Sequence, residues 1–221
     1  GPGALAGTIN LYSTIAQNTQ ASLAYGSRDS WDATLSAGTK LGSGEVAVDG
    51  RYSRGDGFIP VAKGQRGSVD RAAPYEQGGL GLRLRFDTGD DSRVEASVRG
   101  FSDRRDRGTD FTTSKFDGVD ASVRLVHDPY DATQWFARAY VQLRDFDSGF
   151  ASVAAGRNSV VPALFQHVPA TGLGARFELR PAIGGTNPLR IGADLRRAVG
   201  RTEEDFFFTG IVPGRHRIAG G

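Results

Sequence analysis

The chain has 221 residues, 38% of them hydrophobic, with 31 Gly, no Cys and a formal net charge of +2. Without Cys there is neither a disulfide frame nor a thiolate metal site, and so even a charge balance gives no groove for nucleic acid. The apolar share is low for a globular domain, so a single core of ordinary density is hard to build, whereas a barrel needs only its outer row to be apolar. No apolar run approaches the ~18 residues of a spanning helix. Gly1 stands where a start Met would be and no signal peptide opens the chain, so we expect a segment of a longer product.

From about residue 20 onward, apolar and polar residues alternate with a period of two, the mark of strands with two unlike faces. In chain order this predicts strands over 20–27, 31–40, 45–54, 76–87, 92–102, 117–127, 133–145, 171–180 and 189–198. In RVEASVRGF (93–101), Val94, Ala96, Val98 and Gly100 form one row, and Arg93, Glu95, Ser97 and Arg99 the other. Tight turns of Gly, Pro and Asp are expected at 41–44, 88–91, 128–131 and 182–188. Longer polar excursions are expected at 55–75, 104–116 and 147–170, and another after 199, with a short helix fitting 158–166. Apart from the short SRDS connection (27–30), short and long connections alternate, which gathers the long ones at one end of the sheet.

Two architectures share this pattern. In a soluble sandwich the apolar row faces a second sheet; in a membrane barrel it faces lipid, and the charged row faces an enclosed lumen. Strands of about 10 residues suit a tilted bilayer crossing, and short turns on one side with long loops on the other suit an outer-membrane barrel. Trp31, Tyr52, Phe86 and Trp135 near strand ends suit interfacial girdles. The expected fold is therefore all-β, an antiparallel up-and-down transmembrane β-barrel, present as an incomplete curved sheet of about nine to ten strands.

The first fourteen residues, GPGALAGTINLYST, satisfy the loose dinucleotide pattern through Gly1, Gly3 and Ala6. That motif needs a strand before it and a helix after it, and neither context is present. The segment instead resembles the end of the plug domain of TonB-dependent outer-membrane receptors, in which a Gly/Ala-rich turn leads into a short strand. Gly1, Gly3, Ala4, Ala6, Gly7, Ile9, Asn10 and Leu11 carry the match, and RYSRGDGFIPV (51–61) is similar to loops of alphaproteobacterial members. The resemblance implies that residues 1–14 are the last plug strand, 15–19 a linker, and 20–221 the first part of the barrel. It also implies a Gram-negative outer-membrane location with lipid around the barrel. TonB would engage through a missing N-terminal part, and the ligand would be scarce, such as a ferric siderophore. A full family barrel has 22 strands and a whole plug, so this chain is expected to be a fragment that transports nothing alone. A passive porin-like channel and a soluble or surface β-sandwich binding module are the rival readings.

In that family the outer loops capture the ligand. The resemblance therefore points to Arg54, Lys63, Arg66, Arg71, Arg104, Arg105 and Arg107 for anionic groups of a chelate. Phe58, Tyr75, Phe111, Phe150 and Phe165 would stack on its sugar or aromatic parts. Read as ordinary solvated loop residues, the same side chains would pack on one another. His127, His167 and His216 have no neighbours in sequence at metal-ligand spacing, so no metal site is expected. Asp90 and Asp91 read as a turn, and Arg54-Gly55-Asp56 as a chance triplet. No nucleophile–base arrangement is legible, so neither catalysis nor a cofactor is expected, and nucleic acid is not a partner.

Overall fold

The computed structural model describes residues 18–183, 189–207 and 215–220. They form ten antiparallel strands in a single sheet, each paired with the next in sequence. These are β1 (Gln20–Gly26), β2 (Ser30–Leu41), β3 (Gly44–Gly55), β4 (Tyr75–Gly89), β5 (Ser92–Arg105), β6 (Ser114–His127), β7 (Gln134–Val153), β8 (Val160–Arg180), β9 (Ile191–Phe206) and β10 (Arg215–Gly220). Among the described residues β1 and β10 each pair on one side only, so the sheet is open. The stretch 1–14 and linker residues 15–17 lie outside the described residues.

The cross-strand register turns the sequence alternation into continuous rows. Val48, Leu82, Val98, Ala121, Val141 and Leu173 are successive partners across β3 to β8. One residue along each strand lies a row of the opposite character: Asp49, Gly81, Arg99, Asp120, Gln142 and Gly172. Side chains directly opposite in an antiparallel pair share a face, so the first row is apolar throughout and the second polar. Gly81 stands between Asp49 and Arg99, and without a Cβ there the Asp49 carboxylate reaches Arg99 Nη2 at 2.6 Å.

No second layer covers the apolar face among the described residues. Leu23, Leu80, Val98 and Leu195 expose 70%, 62%, 50% and 72% of their surface, and among the described residues the buried hydrophobic side chains are those of Ala47 and Val126. Both stand within the polar rows, opposite Arg83 and Arg93, so they lie on the polar face. The side chains that a globular core would hide are here the ones left outside.

Three expectations are corrected. The excursion expected at 147–170 is mostly strand: β7 and β8 run for 20 and 21 residues and leave only 154–159 between them. The short helix expected at 158–166 is absent; Val160 and Val161 begin β8, and Pro162 would break a helix but is tolerated at the bulge opposite Ala151. Likewise the excursion expected after 199 starts later, because β9 runs on to Phe206. In each case the apolar row stops while backbone pairing continues, and a period-two reading sees only the former. Among the described residues the one helical turn is a 3₁₀ turn at Lys63–Gln65.

The connection 56–74 reverses at Gly57, which has φ +66°, and a Cβ there would overlap the Ala73 carbonyl. Gly57→Ala should therefore destabilise this connection locally by about 1–3 kcal/mol. The Ala73 amide, which donates to Phe58 O at 3.0 Å, reports it. Its hydrogen exchange should accelerate at least about fivefold, and unchanged exchange would contradict the tight reversal.

Candidate functional site

The connections 27–29, 56–74, 106–113 and 154–159 lie at one end of the sheet, and those at 42–43, 90–91 and 128–133 at the other. The first end gathers most of the side chains expected to take a ligand. Phe58, Lys63, Arg66, Arg71, Arg107 and Phe111 lie in its connections, as expected. Arg54, Tyr75, Arg104, Arg105, Phe150 and Phe165 instead belong to strand ends, because the strands reach further than their apolar rows.

Alternation then divides the strand residues between the faces. Arg54, Arg104 and Phe165 continue the apolar rows, whereas Tyr75, Arg105 and Phe150 continue the polar ones. Arg54 Nη2 pairs with Asp29 at 2.7 Å. Arg105 pairs with Asp103 at 2.7 Å and reaches Gln77 at 3.2 Å. Phe165 meets Phe207 edge-on at 5.3 Å between centroids.

Within the connections, several of the cations expected to hold an anion hold the loops themselves. Arg71 binds Asp106 at 2.6 Å and also Asp110, joining 56–74 to 106–113. Arg107 donates to Thr112 O at 3.0 Å, to Ser148 Oγ at 3.1 Å and to Gly149 O, with its guanidinium 4.9 Å over Phe150. Arg66 donates to Val61 O at 2.8 Å. Lys63 and Arg104 have no such partner among the described residues. Phe58 is largely exposed, with the Arg28 guanidinium 5.7 Å from its ring centroid. Phe111, at φ +64°, lines a cleft of about 560 Å³ with Phe165 and His167.

The strongest tie at this end escaped the sequence reading. Arg157 grips Asp70 in a bidentate pair, with Nε at 2.8 and 3.0 Å and Nη2 at 2.5 Å. The Gly67 amide donates to the same carboxylate at 2.7 Å, and the Asp70 side chain is only 1% exposed. Hydrogen bonds from Arg157, then from the Gly67 amide, pull the Asp70 carboxyl down to about 2, and the same pairing raises Arg157. Asp70 and Arg157 are 87 positions apart, so no local pattern announces them.

The strand register also supplies neighbours that spacing did not. His167 lies opposite Asp147, and its Nδ1 is 2.8 Å from Asp147 and 3.4 Å from Asp145. The expectation that His167 lacks partners is thus corrected, though the ring already has Asp147 as a hydrogen-bond partner. His127 has Ser92 Oγ at 2.8 Å, and the side chain of His216 lies outside the described residues. On the polar face, Phe101, Phe116 and Phe146 form an edge-to-face run at 5.2 and 6.0 Å, with Arg144 5.2 Å from Phe101. Phe101 was readable as an exception, an aromatic in the register of Arg93, Glu95, Ser97 and Arg99.

No protein-family model and no curated protein matches the chain. Among solved structures, it is similar to the crystal structure of the siderophore receptor PiuA from Acinetobacter baumannii, with a TM-score of 0.60 at 13% identity. That match covers 88% of this chain and 32% of the receptor, so the chain spans about a third of its length. At such identity the likeness is one of fold. The copper transporter OprC is matched at a TM-score of 0.35 and 9% identity, over 86% of this chain and 44% of that one, too weakly to bear on the reading.

The clasp has a definite pH response. The Asp70 carboxyl lies near 2 when folded, against an ordinary 3.8. Its contribution is therefore complete above about 3.8, fades as pH falls from there towards 2, and is gone below. Protection of the Gly67 amide, its exchange measured against that of an unfolded amide at the same pH, should fall as pH drops across that window in the unaltered protein. In Asp70→Asn that protection should be low already at neutral pH and constant through the window; equal profiles would contradict the clasp.

Proposed function

We propose that the chain is part of an outer-membrane receptor of the TonB-dependent kind, which takes up a scarce ligand such as a ferric siderophore. The observation that carries this reading is the single-layer sheet: apolar rows left open on one face, charged residues paired across strands on the other. A sandwich would need a second layer over the apolar rows, and the described residues supply none. Lipid is the medium that rows of this kind require. Aromatics support that assignment, with Tyr25 and Trp31 4.7 Å apart near one end of the sheet and Trp135 and Phe177 6.5 Å apart near the other.

In this reading residues 1–14 are the last strand of a plug, 15–19 a linker and 20–221 the first part of the barrel, which other strands complete. The long connections face the outside of the cell and the polar face lines the interior. Of the residues expected to meet ligand, Phe58 and Lys63 would do so from the connections, and Tyr75 and Phe150 from the polar face, whereas Phe111 shares its cleft with Phe165 and His167 in the register of the apolar rows. Arg71 and Arg107 keep the loops in shape, while Arg54, Arg104 and Phe165 lie on the lipid side, near headgroup level. TonB acts on the part preceding this chain.

Two measurements on the full-length protein test this. Val98→Arg should cost about 2–4 kcal/mol if it lies near the bilayer midplane. Arg99→Gln, which loses only a half-exposed ion pair, should cost less than about 1 kcal/mol; equal costs would contradict the assigned faces. Uptake of the ligand should stop in cells lacking TonB. Uptake that continues without TonB, with a constant conductance in planar bilayers, would favour the passive channel.

A further inference from the structure

On the polar face, near the end of the sheet with the short connections, five residues on five neighbouring strands are successive register partners: Glu95, Arg124, Arg138, Arg176 and Asp194. Three arginines thus stand directly opposite one another on β6, β7 and β8, on one face. Side chains so placed have Cβ atoms about 5 Å apart, and like charges there are destabilising.

The flanking pair have compensation. Arg124 reaches Glu95 at 3.2 Å and Arg176 reaches Glu178 at 3.0 Å. Both guanidinium groups also lie over the Phe136 ring, at 5.1 and 5.5 Å from its centroid. Arg138, in the middle, has no hydrogen bond or carboxylate among the described residues; its guanidinium is 5.9 Å from the centroid of Tyr140. An unmatched guanidinium between two others is a poor arrangement on its own and a good one around an anion. Its planar fork offers paired N–H donors to carboxylate or phosphate oxygens.

We propose that Arg124, Arg138 and Arg176 form an oxyanion site on the polar face, with Arg138 as its central ligand-binding residue. The anion is a carboxylate or phosphate, either free in solution or presented by polypeptide packed against this face. Residues 1–17 contain no Asp or Glu, so a polypeptide carboxylate would come from elsewhere. The site does not depend on what the outer loops capture, nor on TonB.

The test uses the full-length protein in detergent micelles, with inorganic phosphate as the probe, titrated by calorimetry. Arg51→Gln serves as control, since Arg51 lies opposite Thr34 and Gly79 and has no arginine beside it in register. For a free-anion site, phosphate binds, Arg138→Gln weakens it about tenfold or more, and the control binds as before. If no phosphate binds, Arg138→Glu distinguishes the remaining cases. A lower unfolding midpoint means that a polypeptide carboxylate is being repelled from the site. A higher midpoint means that the new acid pairs with the arginines on either side and meets no anion there, and the proposal is overturned. It is overturned equally by phosphate binding that Arg138→Gln leaves intact.

Discussion

A one-layer sheet has two faces and nothing of its own with which to cover either. Every strand described here pairs with its neighbours in sequence, and among the described residues no element folds back over them. Burial of apolar surface is worth roughly 25 cal/mol per Å², and in water these rows would forgo nearly all of it. The apolar face therefore needs an apolar medium, and that need orders the rest. It fixes which face is outside, which ions must pair inside, and at what height along each strand the aromatics and the first charges stand.

The polar face meets the converse demand. Asp49 serves both Arg83 and Arg99, at 3.3 and 2.6 Å. Arg144 and Gln142 converge on Asp120, at 2.6 and 3.0 Å. Single exposed pairs of this kind contribute little. Their value here lies in pinning register, since a slip by one residue would carry the arginines of the polar rows to the apolar side. At the end with the long connections, Arg157 and Phe111 hold positive φ without being glycine, and both sit where separate connections meet. Such backbone persists only where its surroundings hold it, as the Asp70 clasp and the Arg107 contacts do. The loops are thus braced against one another rather than hanging independently.

How much of this could be read in advance depended on whether the signal was local. Val94, Ala96 and Val98 against Arg93, Glu95 and Ser97 need only a period of two, and the faces they imply are the faces observed. The strand ends were less legible. From Ser148 to Val153 neither face must be apolar, so pairing with Val160–Gln166 continues without alternation. The Asp70–Arg157 pair and the row of three arginines were not legible at all. Each residue is visible singly, but their meeting depends on loop course and strand register, which composition does not encode. The same gap explains why Arg71 and Arg107, sensible as anion ligands by charge, turned out to be occupied by neighbouring connections.

The chain has no Cys, so single cysteines can be placed at each of residues 93–101 in the full-length protein and spin-labelled in bilayer vesicles. Collisional access to oxygen, which concentrates in hydrocarbon, should peak at 94, 96 and 98, while access to a water-soluble nickel chelate should not peak there. Labels at 93, 95, 97 and 99 should show the opposite balance. Oxygen and nickel access that rise and fall together, or labels at 94, 96 and 98 shielded from both, would mean that protein or water covers the apolar rows, and the account would fail.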